Sequence, residues 1–207
     1  MNKSADENII YVSINNGNKA ILTFPKHNIK TEAYIGKNGA TENKVEGDGK
    51  TPIGRFKLGK AFGTHKKEEI LYNDYTEITK DLYWVDDSNS RYYNTLVDIS
   101  KVEKDWNSAE HLIKYKEQYE YGIEIKSNPE NIPNKGSAIF LHCKKSDYTL
   151  GCVSIDKLIM KQILNCINEN TEIEITQKLY QWKHWYWNYT RIGETYVKWK
   201  ICTLART

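Results

Sequence analysis

Apolar and polar positions along this chain group into short runs that predict strands more often than helices. Residues 9–14 and 19–24 are β-prone runs separated by Asn16-Gly17, a dipeptide that favours a tight hairpin turn. Runs that also suit strands follow along the chain at residues 31–36, 53–58, 121–126 and 171–176. The pattern predicts a chain rich in short β-strands.

Two segments instead repeat apolar positions at the spacing of a helix. These are residues 108–119 and 155–167, and Ser154 is the residue expected to cap the second helix. Between them, residues 137–142 form a nearly continuous apolar run after a glycine, which is typical of a buried strand. That strand would deliver His142 to its end.

Cys152 stands directly ahead of the second predicted helix, with His142 ten residues before it. A free thiol has a pKa near ~8.5, and both a helix N-terminus and a protonated histidine would favour its thiolate. Gly151 has no side chain, so a substrate can approach closely, and amides nearby could face a developing oxyanion. Spacing alone leaves the alternative open, because single Cys and His residues are more often structural.

Two ordered motifs give this pair a context. The first, residues 47–56, reads GDGKTPIGRF, and the second consists of residues 136–142, GSAIFLH, followed by residues 149–154, TLGCVS. In these blocks the chain resembles the L,D-transpeptidase (YkuD-like) catalytic domain, and residues 105–112, DWNSAEHL, are similar to one branch of that family. The resemblance covers roughly residues 8–176.

The resemblance implies a mostly β (α+β) fold, a curved sheet or sandwich with a few helices and the nucleophile on a loop. It implies that Cys152 is the nucleophile and His142 its base. Gly151 and Thr149 would form part of the oxyanion or substrate-binding side, and the carbonyl of Cys143 would orient the histidine.

The implied substrate is a peptidoglycan stem peptide. The cysteine would attack the L-centre carbonyl and expel the terminal D-residue, and a second stem would then accept the acyl group, forming a cross-link. If water accepts it, the reaction is L,D-carboxypeptidation. Thr149-Leu150 stands where many members carry Ser-His, and Ser154 where a basic or polar residue is common, which keeps a non-catalytic wall-binding module as the other alternative.

Other polar residues in the motifs have structural interpretations. Residues 48–52 are favoured as a turn, since Gly, Asp and Pro are turn formers. Glu110 and His111 are adjacent on a predicted helix, where neighbours point apart, so a structural role is expected for both. Zinc bound by His142, Cys143, Cys152 and His111 is disfavoured, because His142 and Cys143 are adjacent in a strand and so face opposite ways. We expect no metal and no cofactor.

Composition and charge limit the partners. The net charge is +3, too small to indicate nucleic acid, and no apolar run approaches the roughly 18 residues of a membrane span. Residues 177–207 differ, with six Lys or Arg against one Glu and four of the six tryptophans. We therefore expect a basic, aromatic C-terminal extension after the catalytic domain. Its role is open, as is the oligomeric state.

The expected location follows from the implied substrate. Stem peptides lie in the bacterial cell envelope, outside the cytoplasm, yet residues 1–7 are polar and show no apolar signal core. The expectation is an envelope protein whose export signal is absent from this chain.

Overall fold

β-strands dominate the molecule. The computed structural model describes residues 8–177 with their side chains, and residues 185–192 and 195–202 by their backbone alone. The strands are β1 (Ile9–Asn16), β2 (Lys19–Phe24), β3 (Ile29–Tyr34), β4 (Ala40–Thr41), β5 (Thr51–Pro52), β6 (Gly54–Gly63), β7 (Tyr75–Glu77), β8 (Leu82–Val85), β9 (Leu96–Asp98), β10 (Ala109–His111), β11 (Tyr121–Ile125), β12 (Phe140–Cys143), β13 (Val153–Ile155), β14 (Glu172–Thr176), β15 (Trp185–Ile192) and β16 (Thr195–Cys202). The helical elements of the described residues are α1 (Lys157–Cys166) and the 3-10 turns Pro25–His27, Lys67–Glu69 and Leu112–Tyr115.

The main sheet curves until it closes. Its nine strands run in the order β11-β12-β13-β3-β2-β1-β14-β6-β7, and β6 also pairs with β11. The long strand β6 makes this closure, because Gly54–Lys57 pair with β14 and Leu58–Gly63 pair with β11. A closed sheet leaves few unpaired edges, and it confirms the prediction of a curved, mostly β fold.

The core lies against this closed sheet and follows from its alternating sequence. In β1 and β14, Ile10, Val12, Ile173 and Ile175 are fully buried in one apolar cluster. Helix α1 adds its buried residues Met160, Ile163 and Leu164 to the same cluster. Burying each of these aliphatic side chains stabilises the folded state by roughly 1.5–3 kcal/mol relative to leaving it exposed. The paired strands therefore form a stable framework beneath the site.

A second, aromatic cluster packs beside the first. A small sheet of β10, β8 and β9 brings Trp84 against Phe62 and Phe140, with ring centroids 6.1 and 4.8 Å away. Tyr119 and Cys152 belong to the same cluster. The thiol therefore lies at the boundary between the main sheet and the smaller one.

The predicted hairpin at Asn16-Gly17 is confirmed by the antiparallel pairing of β1 and β2. The predicted helix over residues 108–119 is wrong: its place is taken by β10 and a short 3-10 turn. The physical reason is tertiary, because β10 gains backbone hydrogen bonds along β8. In this segment Leu112 is fully buried and Ile113 packs against the same aromatic cluster, whereas Tyr115 is exposed.

The C-terminal extension is described in part. Strands β15 and β16 pair antiparallel with each other as a separate two-stranded sheet. The other residues after position 177, and all side chains of this segment, lie outside the described residues, so the boundary at residue 176 stays a prediction. Among the described residues, none of the helices is long and apolar enough to span a membrane.

Candidate active site

One pocket brings together both residues of the predicted catalytic pair. It has a volume of about 200 Å³ and lies where β12, the loop 144–151 and the segment after β10 meet. Its walls include Cys152, His142, Thr149, Glu110 and Tyr119. Cys152 precedes β13, which runs parallel to β12, so the sheet itself sets the thiol beside the histidine strand.

The Cys152 thiol is buried, with 9% of the residue exposed. Its Sγ donates to the carbonyl oxygen of Ala138 at 3.2 Å and accepts from the amide of Phe140 at 3.3 Å. Burial raises the pKa of this thiol well above its ordinary value, and the nearby Glu110 carboxylate raises it further. The resting group is a neutral thiol, which contradicts the expectation of a stabilised thiolate.

The expected helix terminus is also farther from Cys152 than predicted. Ser154 is not the N-cap: it lies in β13, paired with His142 across the parallel strands. Asp156 caps α1 instead, accepting from the amides of Leu158 and Ile159 at 2.8 and 3.2 Å. The alternating residues 153–155 suit a strand, so they extend the sheet before the helix can begin, and the helix dipole fades within about one turn.

His142 is held in one tautomer. Its Nδ1 lies 2.8 Å from the carbonyl oxygen of Cys143, and since a carbonyl only accepts, Nδ1 carries the proton. The ring of Tyr119 packs edge-on against it, with centroids 5.6 Å apart. Burial lowers the pKa of His142 to about 4, against the opposing effect of the Cys143 carbonyl. The imidazole is therefore neutral near pH 7, with Nε2 free of a proton and able to accept one.

Cys143 takes part through its backbone. Its thiol is buried and donates to the carbonyl oxygen of Tyr121 at 3.5 Å, away from the histidine contact, and burial raises its pKa to about 11. Together with Cys152 and Cys166 it is a free thiol. The group of Cys143 that contacts His142 is therefore its backbone carbonyl.

Gly151 and Thr149 shape the loop that leads to Cys152. Gly151 has a φ of +147°, and a Cβ there would lie 3.1 Å from both the Lys50 oxygen and Ile139 Cδ1. Its amide donates to Thr149 Oγ1 at 3.1 Å, and the same hydroxyl donates to the Cys152 oxygen at 2.7 Å. The amide of Gly151 is thus already engaged, so in this structure Gly151 and Thr149 brace the loop.

The upstream motif supports the same loop from the other side. Thr51 is fully buried, and its hydroxyl donates to the Cys152 oxygen at 3.2 Å while accepting from the Gly36 amide at 2.9 Å. A glycine is needed at position 36 for the backbone there to come this close to residues 49–51, since a Cβ would lie 2.4 Å from the Gly49 oxygen. Asp48 holds the turn itself, accepting from the Lys50 amide at 2.8 Å. Of the residues expected to form a turn, Asp48 lies in one, whereas Thr51 and Pro52 form β5, and it is Thr51 that reaches Cys152.

Sequence reasoning missed Glu110 as a pocket residue. Because residues 109–111 form a strand, Glu110 and His111 face opposite sides. Glu110 lines the pocket and accepts a hydrogen bond from Tyr119, whereas His111 stacks on Tyr83 and contacts the Lys80 oxygen at 2.7 Å. The signal that could have located it is the motif of residues 105–112 once that segment is treated as extended. Within residues 8–177, His, Cys, Asp and Glu form no group of three or more that could hold a metal ion.

A closed, mostly β domain with a buried cysteine–histidine pocket defines the class of this protein. The family model of the L,D-transpeptidase catalytic domain (YkuD) matches residues 4–175. The chain belongs to this family, whose members act on peptidoglycan. No curated protein and no solved structure is significantly similar to the chain.

Proposed function

We propose that this chain is a cysteine-dependent L,D-transpeptidase that cross-links peptidoglycan stem peptides through an acyl-enzyme on Cys152. The observation that carries the proposal is the pocket itself, where a thiol and a tautomer-fixed, neutral imidazole line one cavity in a member of this family. We further propose that it works in the bacterial cell envelope, where that substrate lies.

The neutral resting state supports general-base catalysis rather than a preformed ion pair. As Sγ of Cys152 attacks the L-centre carbonyl, its proton passes to Nε2 of His142, which then gives it to the nitrogen of the leaving D-residue. The S–C bond forms, the C–N bond breaks, and the imidazole returns to its neutral form. The Cys143 carbonyl stabilises the transient imidazolium through Nδ1–H, 2.8 Å away.

The oxyanion needs a donor other than Gly151, whose amide is engaged by Thr149. We assign that role to the amide of Cys152 itself. The carbonyl oxygen of Cys152 accepts hydrogen bonds from the hydroxyls of Thr51 and Thr149. The peptide units on either side of Cys152 are therefore fixed before the substrate binds. A preorganised donor needs no rearrangement during the reaction.

The test is incubation with disaccharide-tetrapeptide muropeptides, with products identified by mass spectrometry. Cross-linked dimers are expected from the wild type and from Cys166→Ala, whose thiol lies on α1 outside the pocket. None are expected from Cys152→Ala. Tripeptides without dimers would identify an L,D-carboxypeptidase instead, and unchanged substrate that still binds would identify a wall-binding module.

A further inference from the structure

Glu110 is an acidic residue of the pocket that the first half of the reaction does not use. Its carboxylate accepts a hydrogen bond from the hydroxyl of Tyr119. The ring of Tyr119 in turn packs edge-on against His142. Glu110 therefore contacts His142 indirectly through Tyr119, and it lines the same cavity as Cys152.

The carboxylate of Glu110 lacks a positive partner in the part of the chain described with side chains. None of the ion pairs of residues 8–177 includes it, and Lys145, the lysine in the pocket wall, is paired with Glu117 at 3.0 Å. The charged groups that act on it are acidic, Asp86 and Glu46. Burial, with their help, raises the pKa of Glu110 to about 7.

Such a group does not assist the attack by the thiol. An anionic Glu110 raises the pKa of Cys152, so it disfavours negative charge on the sulfur. It favours a positive charge instead, and the pocket supplies none that is unpaired among residues 8–177. The complementary group has to come from a ligand, and a primary ammonium fits a half-buried carboxylate that also accepts a hydrogen bond from a phenol.

We propose that Glu110 binds and deprotonates the ammonium group of the acceptor stem, which makes it a catalytic residue of the second half of the reaction. This inference rests on the proposed function. The acceptor R–NH₃⁺ gives one proton to the Glu110 carboxylate and becomes R–NH₂. The amine then attacks the thioester, the C–N bond forms, the C–S bond breaks, and His142 moves the second proton from nitrogen to sulfur. Glu110 afterwards releases its proton to solvent.

Glu110 should therefore determine the ratio in which the acyl-enzyme reacts with the acceptor amine or with water. A side-chain amine with a pKa near 10.4 is only about 10⁻³ unprotonated at pH 7, so without a nearby base it reacts slowly. A water molecule that attacks the thioester instead is already neutral, so it does not have to be deprotonated before it can act as a nucleophile. Losing the carboxylate lowers aminolysis relative to hydrolysis. The effect is largest between the pKa of Glu110, about 7, and that of the amine, since Glu110 is ionised and the amine is still protonated in this range.

The experiment measures the ratio of cross-linked to hydrolysed product between pH 6 and 10 for wild type and Glu110→Gln. We expect the ratio in Glu110→Gln to fall at least tenfold at pH 7 and to return toward the wild-type value near pH 10, where the free amine is abundant. Glu110→Asp should recover part of the ratio. The matched control is Glu130→Gln, which removes an exposed carboxylate outside the pocket and should leave the ratio unchanged.

Two results would overturn the inference: a ratio in Glu110→Gln equal to the wild-type ratio, or a loss of both products in equal proportion at every pH. If Glu110→Gln does not fold, Tyr119→Phe is the substitute variant. Removing the hydrogen bond from Tyr119 raises the pKa of Glu110, so the midpoint of the ratio's pH profile should move to higher pH. A midpoint equal to that of the wild type contradicts the inference. Intact mass separates the two claims. An acyl adduct on Cys152 with an unaffected ratio refutes only the role of Glu110, whereas no adduct in the wild type refutes the proposed function as well.

Discussion

Replacing Thr51 with valine should weaken both the fold and the site, because one hydroxyl joins the upstream motif to the nucleophile. The Thr51 hydroxyl accepts from the Gly36 amide at 2.9 Å and donates to the Cys152 oxygen at 3.2 Å. Valine has nearly the same shape as threonine, so the change removes the two hydrogen bonds and little packing. Thr51→Ser keeps the oxygen and serves as the rescue variant.

The two lost bonds differ in cost. The Cys152 oxygen keeps its second donor, Thr149 at 2.7 Å, so losing the bond from Thr51 costs only about 0.5–1.5 kcal/mol. The Gly36 amide is left buried without an acceptor, which costs about 1–3 kcal/mol. The total is about 3 kcal/mol, which for a domain of this size lowers the Tm by roughly 6–12 °C.

The measurements are urea unfolding and kcat/KM on muropeptides for the wild type, Thr51→Val and Thr51→Ser. Thr31→Val is the matched control, since the Thr31 hydroxyl makes only a 3.4 Å contact on the exposed side of β3. We expect lower stability and kcat/KM for Thr51→Val, and values near wild type for Thr51→Ser and Thr31→Val. Equal stability and kcat/KM in Thr51→Val and wild type would refute the bridging role of this hydroxyl.

Three further predictions concern the catalytic loop and its base. Gly151→Ala should lower kcat/KM at least tenfold in a protein that still folds by circular dichroism, because a Cβ at φ +147° would press on the Lys50 oxygen 3.1 Å away; an unaffected rate would contradict this. Cys143→Ala should keep kcat/KM within about threefold, since the residue acts through its carbonyl, and a hundredfold loss would assign the role to its thiol. The free energy of unfolding should fall by up to about 3 kcal/mol from pH 6.5 to pH 4 because of His142, whose lowered pKa of about 4 means that the unfolded chain binds more protons in this range. Urea titrations of wild type and His142→Gln check this, and an identical pH dependence in both would refute it.

Most strands could be predicted from sequence because they depend on local signals, whereas the catalytic roles of Cys152 and His142 follow from the family resemblance and stay a proposal. The hairpin of β1 and β2 follows from alternation and Asn16-Gly17, and the motif blocks point to Cys152 and His142. The neutral state of the pair could not be predicted in this way. It comes mainly from burial, and Cys152 is buried in a cluster of residues far apart in sequence, such as Trp84, Leu112 and Phe140.

The errors share one physical cause, which is pairing between distant segments. Residues 109–111 lie within a run that has helical spacing, yet they pair with β8. Ser154 is a good capping residue, yet pairing with β12 draws it into β13, and Asp156 caps the helix instead. The first error concealed Glu110, since the pairing of β10 with β8 is what places it in the pocket wall.

The most direct test of the central claim is the mass of the protein during turnover. After rapid mixing with a tetrapeptide stem and an acid quench, intact mass spectrometry should detect an adduct equal to the stem acyl group without its terminal D-residue. Peptide mapping should place it on Cys152, and Cys166→Ala should form it equally well. Three results would contradict the account. They are a wild type that turns over substrate without forming the adduct, an adduct on a residue other than Cys152, and turnover by Cys152→Ala.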